Sequence, residues 1–180
     1  MLTKLQKRKQ TALFRRQDMN HDGFYGRADA QEFARRICEV LGLPPGSPEY
    51  ALIHTRVGRR PDALRDFYKA KGDQYSLADY LELGDLIVHD DDLFNDVITE
   101  QVKAVMGLWD RDGDGRLSAD EFVKLEWCYA VDEEAAREAF RHLDRDGDGY
   151  LTIEECKKAA EEFYHSNDPD APGNWFFGPY

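Results

Sequence analysis

A twelve-residue stretch from Asp110 to Glu121 returns almost unchanged from Asp144 to Glu155. Carboxylates occupy alternate positions at its start, Asp110, Asp112 and Asp114 in the first copy and Asp144, Asp146 and Asp148 in the second. Gly115 and Gly149 stand sixth, Ser118 and Thr152 ninth, Glu121 and Glu155 last. This spacing meets the needs of calcium, a hard cation that takes six to eight oxygens at ~2.3–2.6 Å. Three aspartates reach it from alternate positions. The glycine permits the sharp turn that points the next carbonyl inward, that of Arg116 or Tyr150. Ser118 and Thr152 act through a water, and Glu121 and Glu155 close each cage with both oxygens. Calcium is therefore the cofactor expected at both loops.

The flanks test this independently. Ile98, Val102, Val105, Met106 and Trp109 recur at helical spacing before the first copy, a buried stripe. Phe122 and Leu125 open the helix that leaves it. Asp132, Glu133 and Glu134 form the acidic start of a helix that carries Phe140 and Leu143 into the second copy. Leu117 and Leu151 sit eighth, where paired loops form a short two-stranded ladder. These are helix-loop-helix EF-hands, and the expected class is all-α with four hands in two pairs.

Two further hands precede them. In the first, Asp18, Asn20, Asp22, Gly23 and the Phe24 carbonyl fall correctly, and Phe14 precedes the loop as Phe140 precedes the fourth. Its closing residue is Asp29, one methylene shorter than glutamate. A single reaching oxygen lowers coordination towards six, which favours magnesium relative to calcium or weakens calcium. The cofactor expected there is calcium or magnesium. In the second hand Leu64, Phe67, Tyr75, Asp79, Tyr80 and Leu83 keep the framework, while Tyr68, Ala70 and Gly72 stand where carboxylates belong. It should serve as a structural partner that gives the first loop a strand to pair with. The connection between these two hands is long, with Leu43-Pro44-Pro45-Gly46-Ser47-Pro48 and later Gly58 and Pro61 interrupting it. The division expected is 1–90 for the first pair, 91–166 for the second and 167–180 for a tail.

The whole pattern resembles the sarcoplasmic calcium-binding protein group, including bacterial members of the calerythrin type. Four hands, a silent second loop, an Asp-closed first loop and a long first connection carry the resemblance, which spans essentially the whole chain. It implies a compact globule and a calcium-buffering role, with some relatives suspected to be sensors. Tyr25 and Gly26 depart from the group's commoner aliphatic residue at the eighth position of the first loop.

Charge and composition exclude other classes. Thirty-six acidic against 24 basic residues leave a net charge of −12, which repels nucleic acid and anionic membrane and favours cations. Cys38, Cys128 and Cys156 are an odd, scattered set that reads as reduced core thiols in a cytoplasmic protein. The basic start has no apolar run behind it, position 2 is not glycine, and no stretch approaches the ~20 apolar residues of a membrane span. Lys4 to Arg16 reads as the solvated face of the first incoming helix. No Ser-His-Asp, Cys-His or zinc-type spacing marks an enzyme. Of the five histidines, His21 and His89 have polar neighbours, while His54, His142 and His165 could line a cavity.

The tail from Asn174 to Tyr180 holds four aromatics, Trp175, Phe176, Phe177 and Tyr180. At ~25 cal/mol per Å² of apolar area, tucking them in stabilises by several kcal/mol, and they are expected to plug the groove between helices. Only Met106 of three methionines lies on a core stripe, so a flexible peptide-binding groove is disfavoured. The function expected is a monomeric intracellular calcium buffer holding two to three divalent cations. The alternatives are a sensor that exposes an apolar groove to a protein target, and a carrier of a small apolar ligand.

Overall fold

In the computed structural model, residues 1–58 and 74–180 are described. Among them α1 (Lys4–Gln17), β1 (Phe24–Gly26) and α2 (Arg27–Val40) build the first hand, and α3 (Pro48–Gly58) follows. β2 (Gln74–Ser76) and α4 (Leu77–His89) are the described part of the second hand. The readings made for Pro61, Leu64, Phe67, Tyr68, Ala70 and Gly72 lie outside the described residues. A short α5 (Asp91–Phe94) leads through a π-helical turn, Asn95–Thr99, into α6 (Glu100–Trp109). The third hand continues with β3 (Arg116–Ser118) and α7 (Ala119–Cys128), the fourth with α8 (Glu133–Leu143), β4 (Tyr150–Thr152) and α9 (Ile153–His165). A 3₁₀ turn, Pro172–Trp175, ends the order. The class is all-α with two antiparallel two-stranded ladders.

The chain divides into two compact units, Leu13–Leu83 and Met1–Ala12 with Gly84–Tyr180. In the smaller, β1 pairs with β2 so that Tyr25 faces Tyr75. Both rings are buried with Phe14, and Leu77 and Tyr80 pack against them. The Phe14 and Tyr80 rings meet edge to face, 5.4 Å between centroids. The second hand does supply the strand expected of it. Tyrosine stands where the other pair uses leucine, because a ring on each strand fills the same face of the ladder.

In the larger unit Leu117 faces Leu151 across β3 and β4, both fully buried. Ile98, Val102, Met106 and Trp109 of the stripe read from the sequence are buried, while Val105 is only half-buried and Ile98 lies in the π-helical turn rather than in α6. Asp132 caps α8 by accepting from the Ala135 N–H at 2.9 Å. All three cysteines are buried thiols outside any disulfide, and burial, with the Glu155 charge behind it, pushes the Cys156 thiol up to about 12.

One expectation for α1 needs correction. Lys4, Lys7 and Arg15 are solvated, but Lys9 is fully buried. Its ammonium donates to the Glu162 carbonyl at 3.0 Å, the Ser166 carbonyl at 3.2 Å and Asn174 Oδ1 at 2.8 Å. Three acceptors satisfy its three N–H groups, which is the condition for burying a lysine head.

Candidate metal centres

The third and fourth loops are built alike because their sequences dictate the same local bonds. Asp110 Oδ2 accepts from the Gly115 N–H at 2.9 Å, and Asp144 Oδ2 from the Gly149 N–H at 3.0 Å. Those glycines take φ of +84° and +86°, left-handed backbone that strains any side chain. Asp114 Oδ1 accepts from the Arg116 N–H and Asp148 Oδ1 from the Tyr150 N–H, each at 2.8 Å. The result gathers Asp110, Asp112 and Asp114 with oxygens within 4.8 Å of one another, and Asp144, Asp146 and Asp148 likewise. Three carboxylates so close repel one another, and a divalent ion is what their chemistry fits.

The closing glutamates are held by backbone. Glu121 Oε1 accepts from the Arg111 N–H and Oε2 from the Ser118 N–H, both at 2.9 Å. Glu155 does the same with Arg145 at 3.0 Å and Thr152 at 2.9 Å. Burial pushes the Glu155 carboxyl up, but hydrogen bonds from Thr152 and from the Arg145 and Asp146 backbone outweigh it and hold it below the ordinary range. Ser118 and Thr152 also have a role that the sequence reading missed. They are the N-caps of α7 and α9, each in a reciprocal capping box with its glutamate. The signal was present as Ser118 and Thr152 each followed three residues later by glutamate.

The first loop follows the same plan. Asp18 is buried and accepts from the Asp22 and Gly23 N–H groups at 3.1 and 3.0 Å. Asp22 Oδ1 accepts from Phe24 N–H at 2.9 Å, and its other oxygen from the Asn20 amide at 3.0 Å. Asp29, only 1% exposed, accepts from the Gly26 N–H at 2.8 Å. Its second oxygen takes both the Met19 and the Asn20 N–H, at 2.9 and 3.2 Å. The shorter side chain thus takes the same backbone bonds as Glu155, which accepts from Thr152, Arg145 and Asp146. His21 stands at φ +58°, the position where Gly113 and Gly147 take +76° and +73°.

Comparison with known proteins places these loops. Residues 135–163 match the EF hand domain model and residues 103–125 an EF hand model, the fourth and third hands respectively. Calerythrin of Saccharopolyspora erythraea is 27% identical over 155 residues, covering 84% of this chain and 87% of its own. The sarcoplasmic calcium-binding protein from amphioxus shares the fold at a TM-score of 0.77 and 19% identity, with 100% of both chains covered. The coelenterazine-binding protein from Renilla muelleri does so at 0.76 and 22% identity, covering 99% of this chain and 100% of that one. A Streptomyces coelicolor calcium-binding protein gives 0.69 and 22% identity over 88% of this chain and 97% of its own. The third and fourth loops thus match EF-hand models, the chain is similar in sequence to calerythrin, and it shares its fold with the sarcoplasmic calcium-binding protein from amphioxus.

Proposed function

We propose that this calcium-binding EF-hand protein, which is not an enzyme, works as an intracellular calcium buffer. Asp110, Asp112, Asp114, the Arg116 carbonyl, Ser118 and Glu121 hold one calcium ion. Asp144, Asp146, Asp148, the Tyr150 carbonyl, Thr152 and Glu155 hold a second. Asp18, Asn20, Asp22, the Phe24 carbonyl and Asp29 take calcium or magnesium, and the second hand is structural. Functionally the chain divides into the pair at 1–90, the pair at 91–166 and the tail at 167–180. Binding of divalent cations is the whole of the chemistry, carried out in the cytoplasm by a monomer with no nucleic-acid partner. Among the described residues no helix is long and apolar enough to cross a membrane.

The tail carries the choice of buffer over sensor. Asn174 is fully buried and donates to the Asp168 and Pro169 carbonyls at 2.9 and 3.0 Å. Trp175 stacks on His142 at 4.6 Å, and Phe177 meets Phe163 edge to face at 4.9 Å. Gly173 sits so close to α9 that a Cβ there would lie 2.4 Å from the Ala159 carbonyl. A segment of the chain itself thus covers the surface of α8 and α9 that a target would need. A sensor must instead open and present that surface when calcium arrives.

Apolar-dye fluorescence on the full chain, in chelator and then in calcium at constant magnesium, tests this. Unchanged or falling fluorescence supports the buffer. Brightening with calcium would overturn it in favour of a sensor.

A further inference from the structure

We propose that the Arg116 side chain is a shared counter-ion that couples the third and fourth sites, an inference that rests on their reading as calcium loops. The β3–β4 ladder sets Arg116 opposite Thr152 and Ser118 opposite Tyr150. This register lays the Arg116 guanidinium on the Tyr150 ring, 3.9 Å from its centroid. From that seat one arm reaches Asp114 Oδ2 at 3.2 Å and the other reaches Asp148 Oδ2 at 3.5 Å. Those two aspartates hold the fifth position of their loops. In both, Oδ1 is already engaged by the loop backbone, by the Arg116 N–H and the Tyr150 N–H at 2.8 Å. Arg116 thus holds the second oxygen of each fifth-position aspartate.

The device is one-sided. The fourth loop places tyrosine where the third places arginine, so a single cation serves two loops rather than one cation each. The fourth loop's single arginine, Arg145, is directed away to Glu162 Oε2 at 2.6 Å. An ion entering either loop draws on a carboxylate whose charge Arg116 also holds, and it repels the guanidinium at short range. Displacing it once releases both carboxylates. The first ion bears that cost and the second does not, which makes the two sites bind cooperatively. The planar fork matters here, because it lies over the Tyr150 ring with one arm towards each aspartate, an arrangement that the compact ammonium of a lysine does not reproduce.

The test is calcium titration of the full chain by calorimetry, at low ionic strength and constant magnesium, for the parent protein, Arg116→Leu and Arg116→Lys. Arg116→Leu should tighten calcium roughly two- to fivefold, the range of an exposed ion pair, and turn a cooperative isotherm into two independent steps. Arg116→Lys should lose the cooperativity while its affinity stays near the parent's. Concentrated KCl should shrink the difference between the parent and Arg116→Leu. In chelator at low salt, Arg116→Leu should also melt lower, because Asp114 and Asp148 lose their common counter-ion. A lysine variant as cooperative as the parent overturns the proposal, as does a leucine variant that tightens both steps equally. A parent protein that binds no calcium in the third and fourth loops would instead overturn the reading of the loops themselves.

Discussion

Asp29 lacks a methylene of the glutamates that close the third and fourth loops, yet it holds its loop by bonds of the same kind. Its oxygens accept three backbone N–H groups, from Met19, Asn20 and Gly26. A shorter closing carboxylate that reaches the ion with one oxygen lowers coordination towards six, which suits the smaller octahedral ion. Asp29→Glu should therefore tighten calcium at the first site relative to magnesium, roughly tenfold or about 1.4 kcal/mol. The same change forces a methylene into a fully packed position, so in chelator the variant should lose about 1–3 kcal/mol of stability. Calcium titrations with and without magnesium check the first effect and urea unfolding the second. Unchanged metal preference would show that loop geometry, not side-chain length, sets the selectivity. The loop residues were legible in the sequence because a loop's geometry is fixed within a dozen residues by its own glycines and amides. The left-handed His21 was not, since histidine carries no demand for that conformation as glycine does.

At the scale of elements, the buried ammonium of Lys9 fastens the tail to α1. Burial pulls it down to about 8 from 10.5, while the Glu162 carboxylate holds it up. Glu162 also accepts from Arg145 at 2.6 Å and from the Gly173 N–H at 2.8 Å, so one carboxylate ties loop, tail and helix. The sign for stability follows from the proton count. Between pH 8 and 10.5 the unfolded chain carries the Lys9 proton and the folded chain has released it, so stability from this group rises with pH across that window. Below pH 8 both forms are protonated, the slope vanishes and the burial penalty is present in full. Urea unfolding of the parent and of Lys9→Met at pH 7.5 and pH 9.5, both in chelator, isolates the effect. The parent should gain stability relative to the variant as pH rises, and parallel behaviour would mean that Lys9 titrates normally. This latch could not be read from periodicity. On α1 alone Lys9 is one more basic residue among several, and its partners lie more than 150 positions away in sequence. The ladders, by contrast, were legible even with Tyr25 and Tyr75 in place of leucines, because the eighth position of a loop faces its partner whatever residue fills it.

For the whole molecule the governing quantity is the net charge of −12, with much of the acid gathered at the loops. Without calcium, Asp110, Asp112 and Asp114, and Asp144, Asp146 and Asp148, hold like charges within 4.8 Å, and the fold bears their repulsion. Two agents relieve it by different physics. Monovalent salt screens the charges from a distance, with a Debye length of ~10 Å at 0.1 M, whereas a bound divalent ion neutralises them in place. The two effects should therefore not add. In chelator the melting temperature should climb steadily as KCl is raised. In saturating calcium it should start higher and respond much less. At free calcium 100-fold above Kd, each site adds about 2.7 kcal/mol by mass action, since the unfolded chain has no assembled cage. Glu121→Gln with Glu155→Gln removes the closing carboxylates from both loops, and should abolish most of the calcium-induced rise while leaving the salt dependence in chelator largely intact. If calcium and KCl instead raised the melting temperature additively, with the double variant responding like the parent, the stabilisation would come from general screening and the loops would not be its source.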